Sequence, residues 1–283
     1  MRNRYNRAPM TQLDLAILGG GNMGCALVGG LLRQGLRTER ITVGESGREA
    51  RERLAREFGV AATADNVQAV RHANVVVIAV KPQDVEAVLT PLKMQLQQSH
   101  PVCLSIAAGV RTGALRRWCG AQVPVVRAMP NRPALVGAGI TGLFADAAVD
   151  AAQYALAERV MQSVGEVVRV DTEDALDVVT ALSGSGPAYF FRLAELMAQS
   201  GTDLGLAPEA ARRLAIATLH GAGLLAHTDG DLARLREEVT SKGGTTEAAL
   251  RTLEAAGIGE IVWRAIEAAT RRSRELAEQF GPT

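Results

Sequence analysis

Residues 13–35 read LDLAILGGGNMGCALVGGLLRQG, an apolar run that passes directly into three glycines and then into a helical pattern. Residues 13–18 are short and apolar enough for a buried strand. From Asn22 the apolar positions Ala26, Leu27, Gly30 and Leu31 recur at helical spacing, and Gly35 supplies a stop, which predicts a helix over 22–34. The join carries Gly19-x-Gly21-x-x-Gly24. After a strand and before a helix, the first glycine permits a tight turn and the second lets a pyrophosphate approach the backbone. The third lets the helix pack closely on the sheet, while the amides at the helix start face the phosphates. The spacing alone is weak; its place between strand and helix makes it a dinucleotide-binding fingerprint.

Outward from this join the pattern repeats. Residues 41–44 form a second strand, 47–58 a charged amphipathic helix and 60–63 a short third strand. NVVVIAV (74–80) is apolar on both faces, as a parallel sheet covered by helices requires. Lys81-Pro82 ends it, because proline cannot continue a ladder. VCLSIAA (102–108) and VPVVRAM (123–129) repeat the theme with helices between, which predicts an α/β, Rossmann-type doubly wound sheet. Residues 138–144 and 165–170 add strands around a helix over 150–163.

After Asp171 strands stop. Residues 172–280 read as helices divided by SGSGP (183–187), GLAP (205–208), TDGD (228–231) and SKGG (241–244). The expected division is a disordered tail over 1–12, a dinucleotide-binding domain over 13–171 and an all-α domain over 172–283. The helix over 209–226 is apolar around most of its circumference and needs cover on several sides. We expect a dimer interface there; the alternative is a helix central to its own bundle.

Composition narrows the function classes. Lys plus Arg number 31 against 30 for Asp plus Glu, a balance that argues against a nucleic-acid partner, which needs a basic face. No apolar run reaches the roughly 20 residues of a membrane span, and the arginine-bearing start has no apolar segment behind it, so no secretory signal is read. Cys25, Cys103 and Cys119 are odd in number and widely spaced, with no Cys/His cluster, so no metal site is expected and a reducing, cytoplasmic setting fits. His72, His100, His220 and His227 fall outside every motif and read as surface or packing residues.

The end of the second strand normally separates NAD from NADP. Glu45 stands where a carboxylate could bind ribose hydroxyls, while Ser46 and Arg48 could hold a 2′-phosphate. The balance favours NADP(H), with NAD as the alternative.

The chain also resembles the pyrroline-5-carboxylate reductases. The resemblance lies in GGGNMG (19–24), AVKPQ (79–83), SIAAGV (105–110), RAMPNRPALVGAG (127–139), LSGSGPAYFF (182–191) and VTSKGGTTEAAL (239–250), in that order and spacing. It implies reduction of 1-pyrroline-5-carboxylate to L-proline, the last step of proline biosynthesis, by hydride transfer to C5 of the protonated cyclic imine. It also implies an all-α C-terminal dimerisation domain, a homodimer or larger homo-oligomer, and no nucleic-acid or membrane partner. Cofactor contacts carried over by motif are Gly19, Gly21, Asn22, Met23, Gly24, Ser46, Arg48, Asn66, Ala79, Val80, Lys81, Pro82, Ala107 and Ala108. The substrate loop becomes Ser241, Gly243, Gly244, Thr245 and Thr246, with the substrate carboxylate on Ser241 and the amides of Gly244 and Thr245. Thr246 is the catalytic candidate, its hydroxyl hydrogen-bonded to the ring nitrogen. From the residues alone, Ser241 or Thr245 would read as a plain helix cap.

Three positions depart from the pattern of that family. Lys242 replaces a common proline, Arg132 a common threonine, and Ile258 an expected phenylalanine. Rival readings are a β-hydroxyacid dehydrogenase, a reductase of a related cyclic imine, and a non-catalytic nucleotide sensor. The first would need a lysine on the helix after SGSGP, where only Arg192 and Glu195 carry charge before Asp203. The intact substrate loop argues against the sensor.

Overall fold

The computed structural model describes residues 13–280. Eight strands, β1 (Leu15–Leu18), β2 (Ile41–Gly44), β3 (Ala61–Thr63), β4 (Val75–Ile78), β5 (Val102–Ser105), β6 (Val125–Pro130), β7 (Gly139–Ala145) and β8 (Gly165–Arg169), form one sheet in the order β3-β2-β1-β4-β5-β6-β7-β8. The pairs from β3 through β6 are parallel; β7 runs antiparallel to β6, and β8 parallel to β7. The helices of this part are α1 (Asn22–Arg33), α2 (Arg48–Phe58), α3 (Asn66–Val70), α4 (Val85–Leu89), α5 (Lys93–Ser99), α6 (Thr112–Cys119), α7 (Ala151–Gln162) and α8 (Ala175–Val179). The two-sided burial expected of the strands is realised residue by residue. Leu15, Ile17, Val75, Val77, Val102 and Leu104 enter one apolar layer, with Leu27, Leu31 and Val160. Their neighbours Ala16, Leu18, Val76, Ile78 and Cys103 enter the other, with Leu89, Leu96 and Leu115. This is the period of two applied to a strand with helices on both faces.

The remaining helices are α9 (Gly186–Asp203), α10 (Pro208–Asp229), α11 (Leu232–Glu238), α12 (Thr245–Ala255) and α13 (Ile258–Glu278). Pro187 lies in the first turn of α9, where its missing N–H has no helical acceptor. No helix among the described residues is long and apolar enough to cross a membrane.

The described residues divide into two compact units, one Ser185–Ala268 and the other residues 13–184 together with residues 269–280. Compactness thus divides the chain after Gly184, whereas the strand signal ends near Asp171, and residues 269–280 belong to the first unit. The reason is packing: Val179 of α8 lies over Gly142 of β7, and Met129 of β6 reaches Gly184. The expected tail over 1–12 lies outside the described residues.

Charge fixes the same junction. Arg111, at the start of α6, bonds Asp174 at 2.5 Å and Asp177 at 3.2 Å, and Asp177 accepts the hydroxyl of Ser273 at 2.7 Å. Glu173 accepts the amide and the hydroxyl of Thr112 and pairs with Arg127 of β6 at 2.8 Å. Burial pushes the Glu173 carboxyl up, but the Thr112 amide and the Arg127 charge outweigh it and hold it below the ordinary glutamate value. Burial pushes Arg127 down. Removing one partner of such a pair leaves the other without compensation. Glu173→Gln should therefore cost about 3 kcal/mol at neutral pH, read by urea unfolding. Because folding depresses the Glu173 pKa, its contribution is full above the unfolded value of about 4.3 and vanishes as pH falls through the folded one. The two proteins should converge in acid, and equal midpoints at neutral pH would remove this pair from the stability of the fold.

Candidate active site

The sheet order reverses between β1 and β4, and in open α/β sheets ligands bind outside the strand ends at such a point. The glycine loop stands there. Gly19 donates its N–H to the carbonyl of Gly44 at 2.8 Å, while Ala79 donates to the carbonyl of Leu18 at 2.8 Å. Gly19 has φ +111, and a Cβ on it would sit 2.7 Å from the carbonyl oxygen of Ala79. A Cβ on Gly24 would sit 2.2 Å from the carbonyl oxygen of Gly19, so the first turn of α1 closes on the loop. Gly21 is different. A Cβ there would meet no protein atom within 4 Å, so internal packing does not demand a glycine. It is the exposed N-cap of α1, with no side chain capping the helix. That arrangement fits a pyrophosphate: backbone and helix amides are presented where a side chain would fill the approach.

The other residues expected to contact a cofactor lie in the first unit. Asn22 and Met23 open α1. Asn66 opens α3, and its Oδ1 lies over Gly44, at the end of β2. Ala79 and Val80 follow β4 and are half-buried, while Lys81 is exposed and precedes the short 3₁₀ turn that starts at Pro82. After β5, Ala107 is buried and Ala108 exposed, and the buried Ser105 hydroxyl accepts the Ala107 amide at 3.3 Å. Asn131, after β6, accepts the amide of Ile140 at 2.9 Å, which fixes the MPN turn to β7; the adjacent Arg132 is exposed.

Glu45 makes contacts that the sequence did not show. Both carboxylate oxygens of Glu45 accept backbone amides at 2.8 Å, one from Gly20 and one from Gly47. Arg51 donates to the carbonyls of Glu45 at 2.8 Å and Ser46 at 2.6 Å. Ser46 is exposed beside the start of α2, and Arg48 is exposed and paired with Glu52 at 2.8 Å. The expected reading weighed Glu45 only as a ribose ligand and passed over Arg51. The spacing of Arg48 and Arg51 on one helix was the available signal.

In the second unit, Gly243 adopts φ +73 and its N–H donates to Glu247 at 2.6 Å. Gly244 is the N-cap of α12, and no side chain caps the helix, so the plain-cap alternative for Ser241 or Thr245 does not hold. One expected role needs correction. The Gly244 amide already donates to the Ser241 carbonyl at 2.9 Å, closing a turn. The amides at the α12 start that lie beyond this turn are those of Thr245 and Thr246. Ser241 Oγ lies over Gly244, 2.4 Å from where a Cβ would be. Glu247, which the sequence reading missed, holds this turn.

Large apolar side chains of the second unit remain exposed: Phe190 and Phe191 on α9, Leu214, Leu224 and Leu225 on α10, and Trp263 on α13. Only Ala211 and Ala215 of α10 are buried. The alternative of a helix covered by its own bundle is not what the chain forms.

Two family models match the chain. A family described as "Pyrroline-5-carboxylate reductase dimerisation" matches residues 173–276, and one described as "NADP oxidoreductase coenzyme F420-dependent" matches residues 14–109. A pyrroline-5-carboxylate reductase of Pseudomonas aeruginosa is 44% identical over 96% of this chain and 100% of its own. The solved structure of such a reductase from Coxiella burnetii superposes with a TM-score of 0.91 at 40% identity, covering 94% of this chain and 99% of that one. A Plasmodium falciparum pyrroline carboxylate reductase solved with NADP bound gives 0.81 at 27% identity, covering 95% and 100%. The chain belongs to the pyrroline-5-carboxylate reductase family.

Proposed function

We propose that this protein reduces 1-pyrroline-5-carboxylate to L-proline, preferring NADPH to NADH. The observation that carries the reading is the loop before α12, where Thr245 and Thr246 open a helix that no side chain caps. Helix-start amides and the dipole behind them favour a carboxylate. Family membership supplies the identity of the acid.

The glycine loop, Asn22, Met23, Asn66, Ala79, Val80, Lys81, Pro82, Ala107 and Ala108 would hold the nicotinamide cofactor, which supplies the hydride when bound. Ser46 and Arg48, with Arg51 behind them, suit a 2′-phosphate. Ser241 and the Thr245 and Thr246 amides hold the substrate carboxylate. The Thr246 hydroxyl accepts the ring N–H of the protonated imine and keeps its charge beside the electrophilic carbon. The substrate arrives already activated, so the protein's part is orientation and electrostatics more than proton transfer. The three free cysteines suit a reducing compartment, the cytoplasm. The uncovered apolar side chains of α9, α10 and α13 support self-association through the second unit.

Purified protein with pyrroline-5-carboxylate should oxidise NADPH faster than NADH at equal concentration. No imine-dependent oxidation of either cofactor would overturn the assignment. Thr246→Ala should lower kcat/KM roughly ten- to a hundredfold, matching about 1.5–3 kcal/mol for a hydrogen bond to a charged group; an unchanged value removes Thr246 from the chemistry. Light scattering should give at least a dimer, and Leu225→Glu should shift it toward monomer, whereas a monomeric wild type at micromolar concentration defeats the interface.

A further inference from the structure

We propose that Glu45 is a positioning residue for the cofactor: it braces the glycine loop against the loop leading into α2 and does not bind the ribose hydroxyls. The inference rests on the reading that the first unit binds a nicotinamide cofactor, and it deepens that reading.

A carboxylate at the end of β2 invites the ribose assignment, because that is where the adenosine ribose of a bound dinucleotide lies in this kind of sheet. The geometry of Glu45 points elsewhere. Its Oε2 accepts the Gly20 amide and its Oε1 the Gly47 amide, both at 2.8 Å, so one side chain spans the two loops. Both glycines lie close against the carboxylate. A Cβ on Gly20 would lie 3.2 Å from Oε2 and 2.7 Å from Leu54 Cδ1, and Leu54 is fully buried. A Cβ on Gly47 would lie 3.2 Å from Oε1. The brace is tied from behind as well. Arg51 Nη1 holds the carbonyls of Glu45 and Ser46, and the Gly20 carbonyl accepts the Cys25 thiol at 3.3 Å and Arg53 at 3.4 Å. Gly20 is therefore fixed through its amide and its carbonyl, and Gly21, which presents the open approach, is next in the chain.

The two roles predict different selectivity. A ribose ligand acts on the 2′ position, the one place where NADH and NADPH differ, so its loss harms NADH and relieves repulsion on NADPH. A brace acts on the loop that meets the pyrophosphate, which both cofactors share, so its loss harms both alike. Glutamine keeps the length of the side chain but offers one carbonyl oxygen where the carboxylate offers two, and its NH₂ cannot accept an amide.

The test is direct binding of NADPH and of NADH to Glu45→Gln, followed by reduced-nicotinamide fluorescence, with kcat at saturating cofactor and a melting curve alongside. We expect both Kd values to rise roughly five- to twentyfold, as the loss of a charge-assisted bond implies. Their ratio should change less than about twofold and kcat should hold, a split that general destabilisation would not produce. Selective loss of NADH, a gain for NADPH, or no change in either overturns the brace. Should Glu45→Gln fail to fold, Arg51→Gln examines the same brace from behind. It is measured with NADH, which has no 2′-phosphate for the Arg51 charge to attract. Weaker NADH binding supports the proposal and unchanged binding overturns it. Wild-type protein that binds neither cofactor would instead overturn the nucleotide reading itself.

Discussion

Two backbones meet where β1 and β4 end, and they meet without room for a side chain. Gly19 approaches the carbonyl of Ala79 so closely that a Cβ would overlap it, and its φ of +111 is a conformation that other residues resist. The neighbouring strands β1, β2 and β4 are tied at their tips by the amide of Gly19 on Gly44 and that of Ala79 on Leu18. Several residues proposed to hold a dinucleotide lie around this contact. Gly24 brings the start of α1 onto the loop, Asn66 covers Gly44, and the half-buried Ala79 and Val80 lie on the far side. A larger residue at Gly19 would push β1 from β4 and disperse the set.

The sheet was legible because its signal is local. A run such as Val75–Ile78 can be apolar on both faces only where helices cover both, and each strand announces itself this way. The glycine fingerprint was legible for the same reason, since Gly19 and Gly24 answer to contacts within a few residues or to the adjacent strand, and Gly21 to the open approach between them. The fate of Glu45 was not. Its type and place suit a ribose ligand, and only the distance from each oxygen to the Gly20 and Gly47 amides assigns it otherwise. The Gly244 amide shows the same limit on a smaller scale: spacing marks a helix start but not which N–H is spent closing the turn before it.

Compactness and the end of the strand signal divide the chain at different points, for a related reason. The last strand ends at Arg169, and composition changes class there, but compactness follows packing and charge. Glu173, Asp174 and Asp177 are drawn back to Arg127 and Arg111, partners far away in sequence. A pairing of that kind leaves no trace in hydrophobic period or turn chemistry. The exposed side chains of α10 were easier, because a helix apolar on most sides states its need for cover without saying what provides it.

The last helix bears on how the molecule is made. Ser273 and Ala277 of α13 are buried in the unit that contains the sheet, although the whole of the other unit is encoded before them. During synthesis the sheet and its helices can collapse early, since domains tend to form as they leave the ribosome. Asp177, however, lacks its hydroxyl donor until the whole of the other unit has emerged. Translation order therefore lets the unit with the sheet begin to assemble before the other unit is made and completes it only afterwards.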